Sequence, residues 1–273
     1  MKHICLFPLI FALLAMFLFA GCHAEQQNEP KPSPSAAATP TPAPTSTPVP
    51  TPTPAPTPTP HPWSEAVTGV PFYDLADYFV DVALHTEYSE NGSMAEVLLS
   101  RWAAPIYYEL SGPYTVHDYM VLDDMIKTLN QTEGFPGIFT ADADHTANLT
   151  ISFLSRQEMD ARTSQYGSCD GFATYQWYNA NQEIHHADIL YCTDMDDSIR
   201  DGVLCEELIQ VLGLSNDSEK YPDSIFYQYD STLSWPAPID WALFELLYHP
   251  NLQLGMTEDQ ARLALNDLFL SAP

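Results

Sequence analysis

The stretch that decides the fold is C-E-E-L-I-Q-V-L-G-L-S-N-D, from Cys205 to Asp217. It continues an apolar pattern with helical spacing, which predicts an α-helix over Ile199–Leu212. Because successive helical residues are rotated by about 100°, Glu206 and Gln210 lie on one face of this helix, opposite its apolar side chains. Gly213 comes directly after the helix and lets the chain turn away from it. The segment therefore predicts a helix that carries carboxylate and amide groups along one face.

The same segment has the layout of a zinc-protease motif. In H-E-x-x-H-x-x-G-x-x-H, the histidines bind zinc and the glutamate activates a water molecule. The three histidine positions are occupied here by Glu206, Gln210 and Asn216. The glycine and the base position are present as Gly213 and Glu207. Since amide oxygens are poor substitutes for imidazole, the pattern predicts a protease-like fold without zinc, and a base without a metal-bound water.

Two downstream segments extend the resemblance to the metzincin proteases. In that group, a tight turn beneath the metal carries Ser-Ile-Met or a close variant, and Ser224-Ile-Phe226 resembles it with Phe in place of Met. The next helix in the matrixin and serralysin branch carries D-x-x-x-x-x-x-L-Y, which Asp240–Tyr248 matches. Between these pieces, Asn216 and Asp217 can cap the turn out of the motif helix. Because the pieces follow in the same order, the resemblance implies a zincin-like domain.

The chain also resembles an uncharacterised family of exported bacterial proteins that are distantly zincin-like. That family carries a Glu-Glu-x-x-Gln helix, a Leu-Gly-x-x-Asn-Asp exit, a Ser-Ile/Val-Phe turn and a Leu-Tyr-x-Pro tail followed by Gly-Met-Thr. The matching residues are Glu206-Glu207 with Gln210, Leu212-Gly213 with Asn216-Asp217, Ser224–Phe226, Leu247-Tyr248 with Pro250, and Gly255–Thr257. The resemblance runs from about Phe72 to Leu265 and implies a domain of unknown function. One departure is Cys205, since the family's cysteine is expected about one turn earlier.

The first 22 residues predict a lipoprotein signal peptide. Lys2 precedes an apolar run over Ile4–Ala20, and L-F-A-G-C ends at Cys22. Small residues before a cysteine are typical of signals whose cleavage exposes that cysteine for lipid attachment, such as palmitate. The alternatives are an ordinary signal peptide or a transmembrane anchor, but Pro8 interrupts a run that is already marginal for a bilayer. We therefore expect a lipid anchor at Cys22 that holds the protein on the extracytoplasmic face of the cell membrane.

Residues 23–62 differ in composition from residues 63–273. The first segment consists largely of Pro, Thr, Ala and Ser, which predicts a disordered, semi-rigid linker. The second segment is long enough for one well-buried globular domain. It contains all but two of the 36 acidic and all but two of the 9 basic residues, and so supplies the net charge of −27. Because such a domain repels nucleic acid and anionic lipid, we expect no nucleic-acid partner.

Hydrophobic periodicity predicts an α+β fold for residues 63–273. Four helices besides the motif helix are predicted, at Asp74–Tyr88, Asp118–Gln131, Trp235–Leu247 and Met256–Leu270. Four strands are predicted, at Arg101–Leu110, Asn148–Leu154, Ala173–Tyr178 and Glu183–Cys192. Ser198 and Thr257 are the expected N-caps of the motif helix and of the last helix. The predicted α+β fold therefore consists of a mixed β-sheet, an active-site-type helix and two C-terminal helices.

Three cysteines fall within the predicted domain. They are Cys169, Cys192 and Cys205, an odd number for an exported protein. One disulfide and one buried thiol are therefore expected. We favour Cys169–Cys205 over Cys192–Cys205, and either bridge would stabilise the fold by roughly 3–4 kcal/mol.

Few residues remain as candidate metal ligands. Glu206 and Asp217 offer carboxylates to a harder ion than zinc. His185 and His186 are adjacent on a predicted strand, so alternation directs only one of them toward the motif helix. No Glu-x-x-His helix accompanies them, which favours a structural strand pair, one packed and one exposed. The sequence thus predicts no metal site and no cofactor.

The sequence favours a binding or structural role over catalysis. Zincins hold peptides along an exposed sheet edge, and Asn148–Leu154 is the candidate edge strand, so binding can outlast the loss of zinc. Gln210 can bridge Glu207 or a backbone carbonyl of the neighbouring strand. We expect a membrane-anchored lipoprotein whose degenerate metzincin-like domain binds an extracytoplasmic peptide or protein, or serves as a structural envelope module. The alternative is an active, peptidase-like hydrolase that uses Glu207 with an unusual metal or none.

Overall fold

The computed structural model of the protein describes residues 61–86, 95–229 and 232–271. The predicted signal peptide, Cys22 and all but the last two residues of the predicted linker lie outside these ranges. Within them, no helix combines the length and the apolar composition that crossing a bilayer requires.

The described chain alternates short strands with helices up to 14 residues long. The helices are α1 Glu65–Thr68, α2 Phe72–Ala83, α3 Val116–Leu129, α4 Arg156–Thr163, α5 Asp197–Gln210, α6 Pro238–Tyr248 and α7 Glu258–Ser271. The strands are β1 His85–Thr86, β2 Ala95–Glu96, β3 Arg101–Trp102, β4 Ile106–Ser111, β5 Ile138–Thr140, β6 Leu149–Leu154, β7 Gly171–Trp177 and β8 Glu183–Cys192. This mixture confirms the predicted α+β class, with α5 as the motif helix and α6 and α7 as the two C-terminal helices.

A six-stranded, mostly parallel sheet forms the centre of the fold. The parallel pairs are β5 with β4, β4 with β6, β6 with β8, and the short β3 with β8. The exception is β7, which pairs antiparallel with β8. No other described strand pairs with β7, so it forms one edge of the sheet. A separate two-stranded sheet joins β1 and β2.

The prediction that Asn148–Leu154 is a half-buried edge strand is wrong. In the structure, β6 lies between β4 and β8, and only Thr150 of its six residues is not buried. Its polar residues are accommodated inside the sheet, because the hydroxyl of Ser111 on β4 donates to Ser152 Oγ at 3.0 Å. An interior parallel strand is covered on both faces, so an alternation of polar and apolar residues does not mean that its polar residues are exposed to solvent.

The motif helix begins two residues earlier, at Asp197, and is more buried than the sequence predicts. Its N-cap is Asp196, whose side chain accepts a hydrogen bond from the N–H of Ser198 at 2.8 Å. Ser198 therefore lies inside the helix and is not its cap. Every residue from Gly202 to Gln210 is buried, including those on the polar face. Thr257 does cap α7, since its hydroxyl accepts from the N–H of Gln260 at 3.4 Å.

No disulfide joins the cysteines of the described chain. Cys169, Cys192 and Cys205 are all buried thiols, so the predicted Cys169–Cys205 bridge is absent and its alternative is too. The reason is orientation: the Cys205 thiol faces the carbonyl of Ser234, whereas the Cys169 thiol donates to the carbonyl of Gly167. Burial raises the pKa of Cys205 and Cys192, which keeps both in the thiol form.

Candidate functional site

The motif helix carries its polar residues into the interior of the domain. It packs against α3 and against the strands β7 and β8. Glu206, Glu207 and Gln210 are fully buried, and so is Asn216 in the loop that follows. We call these four residues the polar floor. They are the positions that the sequence assigned to zinc ligands and base, and all four are shielded from solvent.

Glu207, the candidate base, lies directly against the start of the edge strand. A Cβ atom on Gly171 would come within 2.1 Å of Glu207 Oε1, so only glycine permits this approach. The carboxyl group of Glu207 therefore packs on the backbone of β7. No pattern in the sequence predicts this contact, apart from the glycine itself.

The exit from the motif helix is fixed by two aromatic side chains and a glycine. Trp102 Nε1 donates to the carbonyl of Val211 at 2.8 Å, and the Tyr248 hydroxyl donates to the carbonyl of Leu212 at 3.1 Å. These bonds satisfy carbonyls that a helix end leaves without partners. Gly213 has a φ of 119°, and a side chain there would meet the carbonyl oxygen of Ser100 at 2.3 Å. Its predicted role as the turn out of the helix is confirmed.

Two residues of the polar floor, Gln210 and Asn216, meet at Asp217. Gln210 Nε2 donates to Asp217 Oδ1 at 3.0 Å, and Asn216 Nδ2 donates to the backbone carbonyl of Asp217 at 2.9 Å. Asn216 Nδ2 also donates to the carbonyl of Asp81 on α2, whose carboxylate accepts from Ser218 at 2.6 Å. The amide groups thus tie the motif helix, its exit loop and α2 together. Asp81 was missed by the sequence analysis, because nothing in the periodicity of α2 points to the motif.

The donor atoms of the polar floor do not fit zinc. Zinc sites in proteins use imidazole nitrogen, thiolate and carboxylate, whereas Gln210 and Asn216 offer only neutral amide oxygens. Both amide groups are already oriented by the hydrogen bonds that their NH2 groups donate. Among the described residues, no three His, Cys, Asp or Glu side chains form a group that is able to hold a metal ion.

The Ser224–Phe226 turn is held by one buried carboxylate, Asp240, at the start of α6. Asp240 accepts hydrogen bonds from the Ser224 hydroxyl, from the N–H of Ile225 at 3.0 Å and from the N–H of Ala237 at 2.7 Å. The hydroxyl of Tyr78 on α2 donates to Ser224 at 2.6 Å. Burial raises the pKa of Asp240 to about 6, although these hydrogen bonds oppose the shift. Phe226, the last residue of this turn, is fully buried.

His185 and His186 lie on β8 and contact neighbours outside the polar floor. The His185 ring stacks on Tyr178, with ring centroids 4.1 Å apart, and burial lowers its pKa. His186 Nε2 lies 3.1 Å from Asp188 Oδ2, and this hydrogen bond raises its pKa. Both rings are partly exposed, so the prediction of one packed and one exposed ring is wrong.

A cavity of about 320 Å³ opens beside the edge strand. We call it the β7 cavity, and its lining residues are Thr86, Glu96, Val97, Leu98, Ser100, Tyr175, Trp177, Asn179, Gln182 and Ser215. It adjoins the motif, because the Tyr175 hydroxyl donates at 3.2 Å to Ser215 in the exit loop. The sequence analysis missed it, since its walls come from segments far apart in the chain. The one available signal was the alternation that puts Tyr175 and Trp177 on the same face of β7.

The edge of β7 that faces away from β8 is its free edge. The N–H of Cys192 donates to the carbonyl of Asp170, which sets the hydrogen-bonding phase between β7 and β8. In an antiparallel pair, alternate residues direct their N–H and C=O to the partner strand and the others direct them away. By this phase, Ala173 and Tyr175 direct their backbone groups to the free edge, but Ala173 is fully buried and only the second half of the strand, which contains Tyr175, is partly exposed. The exposed part of the edge therefore lies beside the cavity, on β7 and not on β6 as predicted.

One family model matches the chain. It is described as Protein of unknown function (DUF2927), and the match spans residues 73–267. No curated protein matches the chain. The matched region contains the polar floor, β7 and every lining residue of the β7 cavity.

Proposed function

We propose that this chain, which belongs to the DUF2927 family of proteins of unknown function, is a membrane-anchored extracytoplasmic lipoprotein that binds an extended peptide or protein segment. Its domain is a degenerate metzincin-like one that lacks zinc and peptidase activity. The observation that carries the proposal is β7, an edge strand that runs from the buried base position to an open cavity.

Kinship with the zincins is supported by how the motif pieces are arranged. Gly213 forms the exit from the motif helix. The Ser224–Phe226 turn is anchored to the following helix, because Asp240 of that helix accepts hydrogen bonds from it. The Tyr of that same helix, Tyr248, donates to the carbonyl of Leu212 at the end of the motif region. Pieces that resemble metzincins in sequence order thus also contact one another. Such contacts are what a shared architecture requires.

Loss of catalysis is supported by the state of Glu207. A general base has to reach the water or substrate proton that it removes. Glu207 is fully buried, and its carboxyl lies against the Gly171 backbone. This burial, together with amide oxygens in place of imidazoles, favours the binding proposal over a hydrolase that uses Glu207.

Peptide binding is supported by the chemistry of a sheet edge. An edge strand offers backbone donors and acceptors to an added strand, and adjoining pockets then select side chains. The other described strands of this sheet that pair with one neighbour only are β3 and β5, which have two and three residues. The four residues of β7 that are not buried, Thr174–Trp177, adjoin the cavity and make β7 the better platform.

Hydrogen exchange of the full-length chain tests the binding proposal. An extended peptide partner is expected to slow amide exchange at Tyr175, whose N–H faces the partly exposed half of the free edge, while β5 stays unchanged as an internal control. A pull-down from envelope extracts that retains no partner, together with unaltered exchange at β7, would favour a purely structural module.

The anchor and the absence of zinc have separate tests. Replacing Cys22 with Ser is expected to move the protein from the membrane fraction to the soluble fraction. Metal analysis of the purified chain is expected to find no transition metal. A stoichiometric metal that disappears in a Glu206→Ala variant would instead support the hydrolase.

A further inference from the structure

The β7 cavity has an apolar wall, a polar base and one acidic group at its mouth. The wall is formed by the rings of Tyr175 and Trp177, whose centroids lie 5.7 Å apart, and by Leu98. At the base, the Ser100 hydroxyl donates to Gln182 Oε1 at 3.1 Å. Glu96 supplies the only charge among the described lining residues.

We propose that the peptide held on β7 inserts a basic side chain, arginine or lysine, into the β7 cavity, where its cation meets Glu96. This inference rests on the proposed peptide-binding function and names the partner chemistry that the same site selects. The long aliphatic stem of such a side chain packs on apolar surface while its charged end remains at a polar group.

The aromatic rings of the wall are able to bind the charged end of an arginine or lysine as well as its aliphatic part. Arginine and lysine are attracted to the faces of tryptophan and tyrosine rings, and arginine also stacks on them. Tyr175 and Trp177 lie on the same face of β7, two residues apart, so both rings reach the same inserted side chain. The oxygen atoms of Ser100 and Gln182 add acceptors for guanidinium or ammonium donors.

Glu96 is available to a cation from outside the chain. It is exposed, and among the described residues no lysine, arginine or histidine lies within ion-pair distance of it. Its Oε1 accepts one hydrogen bond, from the N–H of Glu258 at 3.3 Å, which holds the side chain in place. The whole chain carries 36 acidic against 9 basic residues, so the long-range field also draws a basic partner toward the site.

Strand geometry limits the inserted residue to particular positions of the peptide. Alternate side chains of an added strand point to the face that Tyr175 and Trp177 occupy. A single basic residue therefore enters the cavity in one register, and its neighbours on either side point away. We therefore expect the affinity of a peptide to depend on the position of its basic residue, which simple attraction to an acidic surface does not produce.

The test uses the full-length chain in detergent and the acetylated, amidated peptide Ser-Thr-Val-Arg-Val-Thr-Ser, with the arginine also moved to each other position. A matched set carries citrulline, which has nearly the shape of arginine but no charge. Binding is measured by isothermal titration calorimetry in about 0.15 M salt, where long-range attraction is screened. The protein variants are Glu96→Gln and, as a matched control, Glu109→Gln, an exposed carboxylate on β4.

In the favoured register, the arginine peptide is expected to bind at least about tenfold more tightly than the citrulline peptide. Glu96→Gln is expected to abolish most of that difference, while Glu109→Gln leaves it intact. Equal binding of both peptides, with slowed exchange at Tyr175, would overturn the basic pocket but leave the peptide-binding function standing. Equal losses in the two variants would assign the preference to overall charge and also overturn the pocket. Absence of any slowed exchange on β7 would remove the binding function itself.

Discussion

The polar floor and the β7 cavity are neighbours with opposite properties. Glu206, Glu207, Gln210 and Asn216 carry the residue types expected of chemistry, yet they are fully buried. The cavity has none of these four residues, yet it is open and lies beside a free strand edge. A polar residue in the interior is able to contribute to stability through hydrogen bonds, whereas one that lines an opening is accessible to a ligand. The contrast teaches that the residues with the most suggestive sequence pattern are not the residues that solvent reaches.

The largest effect is expected where β7 touches the polar floor. Gly171→Ala places a Cβ within 2.1 Å of Glu207 Oε1, and the neighbouring Cγ and Cδ lie at 2.6 Å. Because Glu207 is fully buried and its Cγ as well as its carboxyl would have to move, we expect a loss of about 3 kcal/mol in the free energy of unfolding, measured by urea denaturation.

A double-mutant cycle provides the control for that variant. Glu207→Ala removes the Cγ and the carboxyl group that the new methyl group would strike, so Gly171→Ala should cost much less in that background. If the two losses simply add, the packing of Glu207 on β7 is not the cause.

The second prediction concerns Asp240, the buried carboxyl group that holds the Ser224–Phe226 turn. The pKa of Asp240 is raised to about 6 from 3.8, so the folded state binds a proton more tightly there than the unfolded state does. Stability from this group is therefore full at low pH and is lost as pH rises from about 4 to about 6, by about 3 kcal/mol. Urea denaturation as a function of pH should show this fall in the wild type and not in Asp240→Asn.

Asp118 is a buried carboxyl group whose pKa is shifted in the opposite direction, so its contribution to stability depends on pH in the opposite way. Burial opposes its ionisation, but the hydrogen bonds from Arg200 and Thr115 lower its pKa overall. Stability from Asp118 is therefore present at neutral pH and is lost as pH falls. Subtracting the Asp240→Asn curve from the wild-type curve isolates Asp240, because Asp118 is common to both. A flat difference curve between pH 4 and 6 would contradict the prediction.

The third prediction addresses the polar floor directly. Gln210→Met keeps the size of the side chain but removes the donor that Gln210 offers to Asp217. Loss of a buried hydrogen bond to a carboxylate should lower the free energy of unfolding by about 2 kcal/mol. Gln131→Met is a matched control, because Gln131 is exposed at the end of α3 and should change stability by less than about 0.5 kcal/mol. Equal effects of the two variants would mean that the floor is not sealed.

The same contrast explains how far the sequence predicts this molecule. The bounds of the strand Glu183–Cys192 agree with the prediction, because its apolar residues recur near every second position between turn residues before Glu183 and a polar segment after Cys192. Local pattern does not report which strands become neighbours, so β6 was taken for the edge that β7 forms. It also does not report what covers a helix, so the burial of Glu206 and Glu207 was missed. The cavity was beyond reach for the same reason, since its walls meet only in three dimensions.

The smallest effect is expected at the boundary between the two regions. The Tyr175 hydroxyl donates to Ser215 across the rim of the β7 cavity, and Tyr175→Phe removes only this bond. Ser215 is 7 % exposed and its partner lines an opening, so a water molecule can replace the lost donor. We therefore expect a loss of about 0.5–1 kcal/mol by urea denaturation, smaller than that of Gln210→Met. A loss as large as that of Gln210→Met would mean that the rim is as closed to water as the polar floor, and the division between a sealed motif and an open binding surface would not hold.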